Sequence, residues 1–392
     1  MLRASLFLTI SIAVAAHAFA HHGFGTFDLS KTVTFPNATL TRVELINPHS
    51  WLYFEVIDED GETSQHRCEM RSAHVLRRSG WTPDLFPTGS QMNLTASPDR
   101  RDPNSCYLQT IEFASGTRMD RYGQYVRAPD GELREVRGPI ATPETRTRGY
   151  RRPLGEPNIT GDWAPEQRVM ADARGIGGGL VPLGDLDEID AGAEPERTGG
   201  GRRGGGPNAG PRLYGGTELT PRGEREAANF TREDNPRFQC ETTSVLFDWT
   251  FDGPVNRIAQ TSDRIIIRYG QMGLDRIVHM NMRQHPADIE RSRAGHSIGW
   301  WEEDVLVVDT VGFLPGVLNA PVRHSDQLHV IERFSLDPET FALTRSYVAE
   351  DPVYLKGPYT GSDVVNPADA RYTEDNCKEQ AFIDFSEVAG SE

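Results

Sequence analysis

Residues 50–80, SWLYFEVIDEDGETSQHRCEMRSAHVLRRSG, place two strand-type runs around a tight turn and follow them with a short helix. In Ser50–Val56 the even positions Leu52, Phe54 and Val56 are apolar. Trp51, Tyr53 and Glu55 alternate with them, the period-two pattern of a strand with one face in a core. Asp58–Gly61 supplies the turn, Thr63–Met70 is the second run, and Arg71–Ser79 reads as a helix stopped at Gly80. Upstream, Thr39–Ile46 is a further strand that ends at an Asn47-Pro48 turn; downstream, Ser90–Ser97 and Cys106–Phe113 complete the set. Three strands, a helix and two strands is the order of a five-stranded OB barrel. Trp51 and Tyr53 lie on the face turned away from its core and are candidate ligand-binding residues.

Beyond this region the composition changes. Gly175–Gly216 contains 15 Gly in 42 residues, with RTGGGRRGGGPNAGP at its centre. Such a segment buries too little apolar surface to offset the entropy of ordering it, which predicts a linker over 121–234. From Asn235 onward strand signals return in Arg257–Thr261, Arg264–Tyr269, Asp275–Met280, Ser297–Trp301, Val305–Val311, Gln327–Phe334 and Phe341–Val348, with Lys378–Phe385 as a short helix. The expected fold is therefore all-β. An OB-like barrel occupies 21–120, and an antiparallel barrel or sandwich occupies 235–392.

The 392-residue chain has a formal charge of −16, and residues 235–392 hold 25 Asp or Glu against 14 Lys or Arg. An acidic surface repels phosphate backbones and anionic headgroups, so nucleic acid and membrane surfaces are poor partners. Met1–Ala20 reads as a secretory signal: Arg3 gives the positive start, Leu6–Ala16 the apolar run and Ala18-Phe19-Ala20 the cleavage site. No later apolar run reaches transmembrane length. These features predict a periplasmic or secreted protein whose partner is a small molecule or another periplasmic protein. In an oxidising compartment the four cysteines pair, and Cys68–Cys106 with Cys240–Cys377 keeps each bond within one domain.

Three constellations could carry chemistry. Cleavage after Ala20 exposes His21 as an N-terminal amine and imidazole; with His22 and His49 it forms a nitrogen set suited to copper. Gly295-His296-Ser297-Ile298-Gly299 matches G-x-S-x-G, but strands rather than a helix follow it, so Ser297 is not expected to be a nucleophile. The third is a polar set in the second domain, His285, His296, Asp309, His324, His329 and Glu332 with Arg333 beside it, from which His296, Asp309, His324 and Glu332 are candidate acid–base residues. In Gln327–Phe334, Glu332 shares a face with Leu328, Val330 and Phe334, opposite His329, Ile331 and Arg333. Whichever face is interior holds charge that must be paired. His329 and Arg333 are candidate ligand-binding residues.

His21-His22-Gly23-Phe24 with Phe27-Asp28, followed by Asn47-Pro48-His49-Ser50-Trp51, resembles an exported bacterial family of unknown function, domain of unknown function 6152. GHSIGWWEEDVLVVDTVGF (295–313), HSDQLHVIERF (324–334) and Asp351-Pro352 resemble a second, uncharacterised group of exported bacterial proteins. The chain departs from that group by Asn281-Met282-Arg283-Gln284 before His285-Pro286, where Asp-Gly-Arg is usual, and by Glu303 where Gly is usual. The resemblance implies export and transfers no activity. The sequence thus leaves three functional classes: ligand or partner binding, placed first; acid–base catalysis in the second domain; and copper binding at the mature N-terminus.

Overall fold

The computed structural model describes residues 27–58, 60–78, 81, 83–114, 118–120, 125–127, 133–135, 149–165, 168–170, 180–182, 218–231, 233–368 and 370–378. Two closed β-barrels contain most of them.

The first barrel is built from β1 (Val33–Glu44), β2 (Trp51–Ile57), β3 (Thr63–Glu69), β4 (Gln91–Pro98) and β5 (Ser105–Phe113), with α1 (Ala73–Arg78) between β3 and β4. β1 pairs with both β2 and β4, and a parallel β3–β5 seam closes the ring. This is the OB arrangement expected. The first strand starts six residues earlier than its sequence pattern suggests. Register shifts at Phe35/Ala38 and Leu40/Arg42 bend it, so that one half serves β4 and the other β2. Leu40, Leu52, Phe54, Leu94, Leu108 and Ile111 fill the barrel, and Leu76 of α1 seals it. Cys68 and Cys106 are register partners across the parallel seam and form a disulfide there. Short strands β6 (Arg118–Asp120), β7 (Tyr125–Arg127) and β8 (Leu133–Glu135) extend the sheet beyond β5.

The second barrel begins inside the expected linker. β9 (Gly161–Pro165) pairs with β12 (Asn256–Gln260) on one side and β21 (Tyr359–Pro367) on the other. Between β9 and β12 come the hairpin β10 (Arg168–Met170) and β11 (Leu180–Pro182), then α2 (Pro221–Ala228). Thr220 caps α2 by accepting from Gly223 N at 3.1 Å, and Pro221 occupies the first turn. The ring then runs through β13 (Arg264–Arg268), β14 (Asp275–His279), β15 (His296–Glu302), β16 (Val305–Val311), β19 (His329–Leu336) and β20 (Leu343–Glu350). A separate hairpin, β17 (Gly316–Asn319) and β18 (Val322–His324), interrupts it.

The expectation of a linker across the whole of 121–234 is therefore corrected. Without β9 the sheet would carry two open edges, and a five-residue strand closes it. Trp163 within β9 is fully buried, its indole donating to Ile159 O at 2.9 Å. The Gly-rich centre at 183–217 lies outside the described residues, as do the signal segment and all of the Lys378–Phe385 run beyond Lys378, which is itself non-helical.

The interior of this second barrel is partly ionic. Glu332 is fully buried between Arg276, which it pairs with directly, and Arg345 at 3.2 Å. Arg345 also reaches Asp363 and the carbonyl of Leu246 at 2.8 Å. Arg276 donates to Ser297 Oγ at 3.0 Å and Thr310 Oγ1 at 2.7 Å. Burial opposes both guanidinium charges, but Glu332 and Asp363 hold them well above the ordinary arginine range. Each buried charge thus has opposite charge and hydrogen bonds around it, the condition for tolerating it at all.

The two barrels meet through residues 370–378. Asn47, fully buried at a cis Asn47-Pro48 bond, donates to Asp375 Oδ1 at 2.6 Å and contacts His74 Nε2 at 2.9 Å. Asn376 donates to Leu45 O at 2.7 Å, and Cys377 is bonded to Cys240. Both expected disulfides are present.

Candidate functional site

On the first barrel, a cavity of about 450 Å³ opens across β2 and β3. Its lining includes Arg42, Tyr53, Glu55, Gln65, His66 and Arg67, with Asp102 and Asn104 contributed by the β4–β5 loop. Strands 2 and 3 with the loop between strands 4 and 5 form the ligand face of OB barrels. Strand alternation explains Tyr53 and Glu55, which face outward with their β3 partners Arg67 and Gln65, while Phe54 and its partner His66 also line the cavity. Arg42 lies over the Tyr53 ring at 4.0 Å, and Arg67 over Trp51 at 5.1 Å. The Tyr53 hydroxyl donates to Glu44 at 3.2 Å; burial first, then the Glu44 charge, pushes it above the usual phenol range. Burial lowers the His66 pKa, and the ring stacks on Phe54. Arg67 pairs with Asp102 at 3.4 Å, so guanidinium and carboxylate charges face the cavity in near balance.

His49, the expected third metal ligand, has partners of its own. Its Nδ1 lies 2.7 Å from Glu69 Oε1, and its ring meets Phe238 of the second barrel edge-on. It is a contact between barrels. His21 and His22 lie outside the described residues. Among the described residues no group of three or more His, Cys, Asp or Glu is arranged to hold a metal ion.

The four acid–base candidates of the second barrel separate. Glu332 is inside, committed to Arg276 and Arg345. His324 ends β18, buried against Phe313, with Nδ1 at 3.1 Å from Ser325 O; burial lowers its pKa. Ser297 also faces inward, between Arg276 and Thr310 Oγ1, where no substrate reaches it. Gly299, the last residue of the G-x-S-x-G match, packs under Val278 and Met280 rather than shaping a nucleophile turn. Arg333 forms an exposed pair with Glu302 at 2.6 Å.

His296 and Asp309 do come together, on the outer wall, through His285 of the same polar set. His285, in the loop after β14, places Nδ1 at 2.8 Å from His296 Nδ1 and Nε2 at 3.3 Å from Asp309 Oδ1. His329 reaches the same oxygen through Nε2 at 2.8 Å, and His279 stacks on His296 with ring centroids 5.1 Å apart. The alternation of β14, β15, β16 and β19 puts His279, His296, Asp309 and His329 on one face of adjacent strands. Burial opposes the Asp309 charge, yet hydrogen bonds from His329 and His285 hold its carboxyl below the usual range. The hydrogen bond to Asp309 raises His329, whereas burial and then the neighbouring His285 and His279 lower His296. Periodicity could have placed His279 with His296, since both are outward strand positions. His285 belongs to the polar set read from the sequence, but its place in a loop left its partners unspecified.

Residues 9–106 match the model of a family of unknown function, DUF6152, which takes in the first barrel through the start of β5. No curated protein and no solved structure matches the chain. No helix among the described residues is long and apolar enough to cross a membrane.

Proposed function

We propose that the protein is an exported binding protein that holds a small, uncharged, hydroxyl-rich ligand on its first barrel. The observation that carries this reading is the cavity at β2, β3 and the β4–β5 loop, on the face where OB barrels take ligands. Its lining supports the ligand class. Arg42 and Arg67 are offset by Glu55 and Asp102, so a strongly charged ligand meets one repulsive pair whichever its sign. Gln65, Asn104 and Thr41 add neutral donors and acceptors, and Tyr53 an aromatic edge. Such few convergent polar groups beside an apolar surface fix orientation in small-molecule sites. Export is supported by the two disulfides and by the leader-like start of the sequence.

The test is a thermal-shift and calorimetric screen of neutral mono- and oligosaccharides against the full chain, alongside native mass spectrometry of protein recovered from a bacterial periplasm. A saturable heat that disappears in Arg67→Ala and Tyr53→Ala supports the reading. No heat with any sugar, together with an unladen native mass, overturns it.

A further inference from the structure

Five titratable side chains on the outer wall of the second barrel are arranged more closely than packing alone requires. His279 on β14, His296 on β15, Asp309 on β16 and His329 on β19 face outward together, and His285 is laid across them from the loop. Glu350 on β20 stands beside His329 as its register partner.

Hydrogen-bond direction fixes their roles. An ionised Asp309 only accepts, so the Nε2 atoms of both His285 and His329 donate to it. With His285 neutral, its Nδ1 is a lone pair and His296 Nδ1 donates to it. That leaves Nε2 of His296 as a basic nitrogen and Nδ1 of His329 as the position that carries a proton when this ring is charged. His296 and His329 flank β16 on opposite sides, two strand spacings or about 10 Å apart at the backbone. His285 lies across the gap between them, so a small substrate would meet the open nitrogens, His296 Nε2 and His329 Nδ1, from the solvent side of the wall.

We propose that this wall is a general acid–base site, His296 the base and His329 the acid, that hydrolyses small uncharged esters. His296 Nε2 takes a proton from water as the water oxygen bonds to the ester carbonyl carbon. The carbon–oxygen bond to the leaving group then breaks, and His329 Nδ1 protonates the departing oxygen. One water is consumed, one acid and one alcohol are formed, and both imidazoles return to their starting state by exchange with solvent. Asp309 and His285 are positioning residues that fix tautomer and orientation. Water must be the nucleophile, because Ser297 and Thr310 face the interior and bond Arg276. An uncharged substrate follows from the acidic domain and from Ile331 and Val348, exposed aliphatic neighbours in register beside Asp309. The opposite shifts of His296 and His329 agree in direction with a base and an acid linked through His285 and Asp309.

The test is hydrolysis of 4-nitrophenyl acetate by the full chain, with rate followed against pH. His296→Gln and His329→Gln should each lower kcat/KM by about 10²-fold, the lower end of the range for general acid–base groups. Asp309→Asn should move the alkaline limb of the profile to lower pH, a change that a purely structural role would not produce. Histidine NMR titration of the same proteins gives a second readout, in which Asp309→Asn lowers the titration midpoint of His329. The proposal is overturned by a wild-type rate no greater than that of free imidazole at equal concentration, or by folded His296→Gln and His329→Gln variants that keep the wild-type rate. It is equally overturned by a fluorophosphonate that labels Ser297 and stops the reaction.

Discussion

Glu332 shows what a single residue's strand position can and cannot reveal. The alternation in Gln327–Phe334 puts it on the face of Val330 and Phe334, and a carboxylate there must be paired. Its partners are unreadable from that window, because Arg276 lies 56 residues before it and Arg345 13 after. Glu332→Gln keeps the volume but leaves two buried guanidinium groups short of charge. Chemical denaturation should show a loss of about 3–5 kcal/mol, the usual cost of breaking a buried ion pair. A loss under 1 kcal/mol would mean that water or relaxation reaches these groups. Asp248 is a second buried carboxyl, pushed up to about 7 by burial, with Oδ2 accepting from Thr243 N at 2.7 Å. A raised carboxyl stabilises the fold below its unfolded pKa, and this is lost as pH rises through the folded value. The melting temperature should therefore fall between pH 5 and pH 8, and Asp248→Asn should flatten that slope. An unchanged slope would assign the pH dependence to other groups.

At the scale of elements, strands with clean alternation were legible to within one or two residues, as β2, β3 and β16 show. The misses have physical causes. β9 is only GDWAP, a Gly, an Asp and a Pro around one Trp, and its strand character comes from its two neighbours. β21 reads YTGSDVVNP, where turn-forming residues mask the pattern that pairing with β20 imposes. The G-x-S-x-G match misleads because glycines serve packing as readily as catalysis. A Cβ on Gly299 would stand 2.6 Å from Val278 Cγ1 and 2.8 Å from Met280 Sδ. That position lies beside the parallel β14–β15 seam, which has only two register pairs, Val278↔Ser297 and His279↔Ile298. Gly299→Ala should therefore destabilise the barrel by about 1–3 kcal/mol, as overpacking does. Thermal unfolding checks this, and a neutral result would mean that the seam yields easily.

For the whole molecule, the sequence reading separated two barrels but gave no hint of how they are joined. The Asn47-Pro48-His49 motif looked like a turn with a metal ligand. In the fold, Asn47 and His49 face the second barrel, Asn47 donating to Asp375 and His49 meeting Phe238. Burial works against the Asp375 charge, while His74, Asn47 and the Met272 amide hold its carboxyl below the ordinary range. The segment that carries Asp375 is anchored two residues further on by Cys240–Cys377, a bond spanning 137 residues. Loop-closure entropy assigns such a bond about 5 kcal/mol, with measured values often lower. Its place suggests a more specific effect than general stabilisation: it holds residues 370–378 where Asp375 and Asn376 reach the first barrel. Replacing Cys240 and Cys377 by Ser should leave the first barrel folded, since its own Cys68–Cys106 bond and core are untouched. Hydrogen exchange should then rise at Leu45–Asn47 and at residues 370–378 but not in β4 or β5. Asp375→Ala, with the disulfide intact, should reproduce that pattern more weakly. Uniform exchange across both barrels in the Ser variant would show that the bond supports the second core rather than the junction, and would leave Asn47 as a structural turn residue.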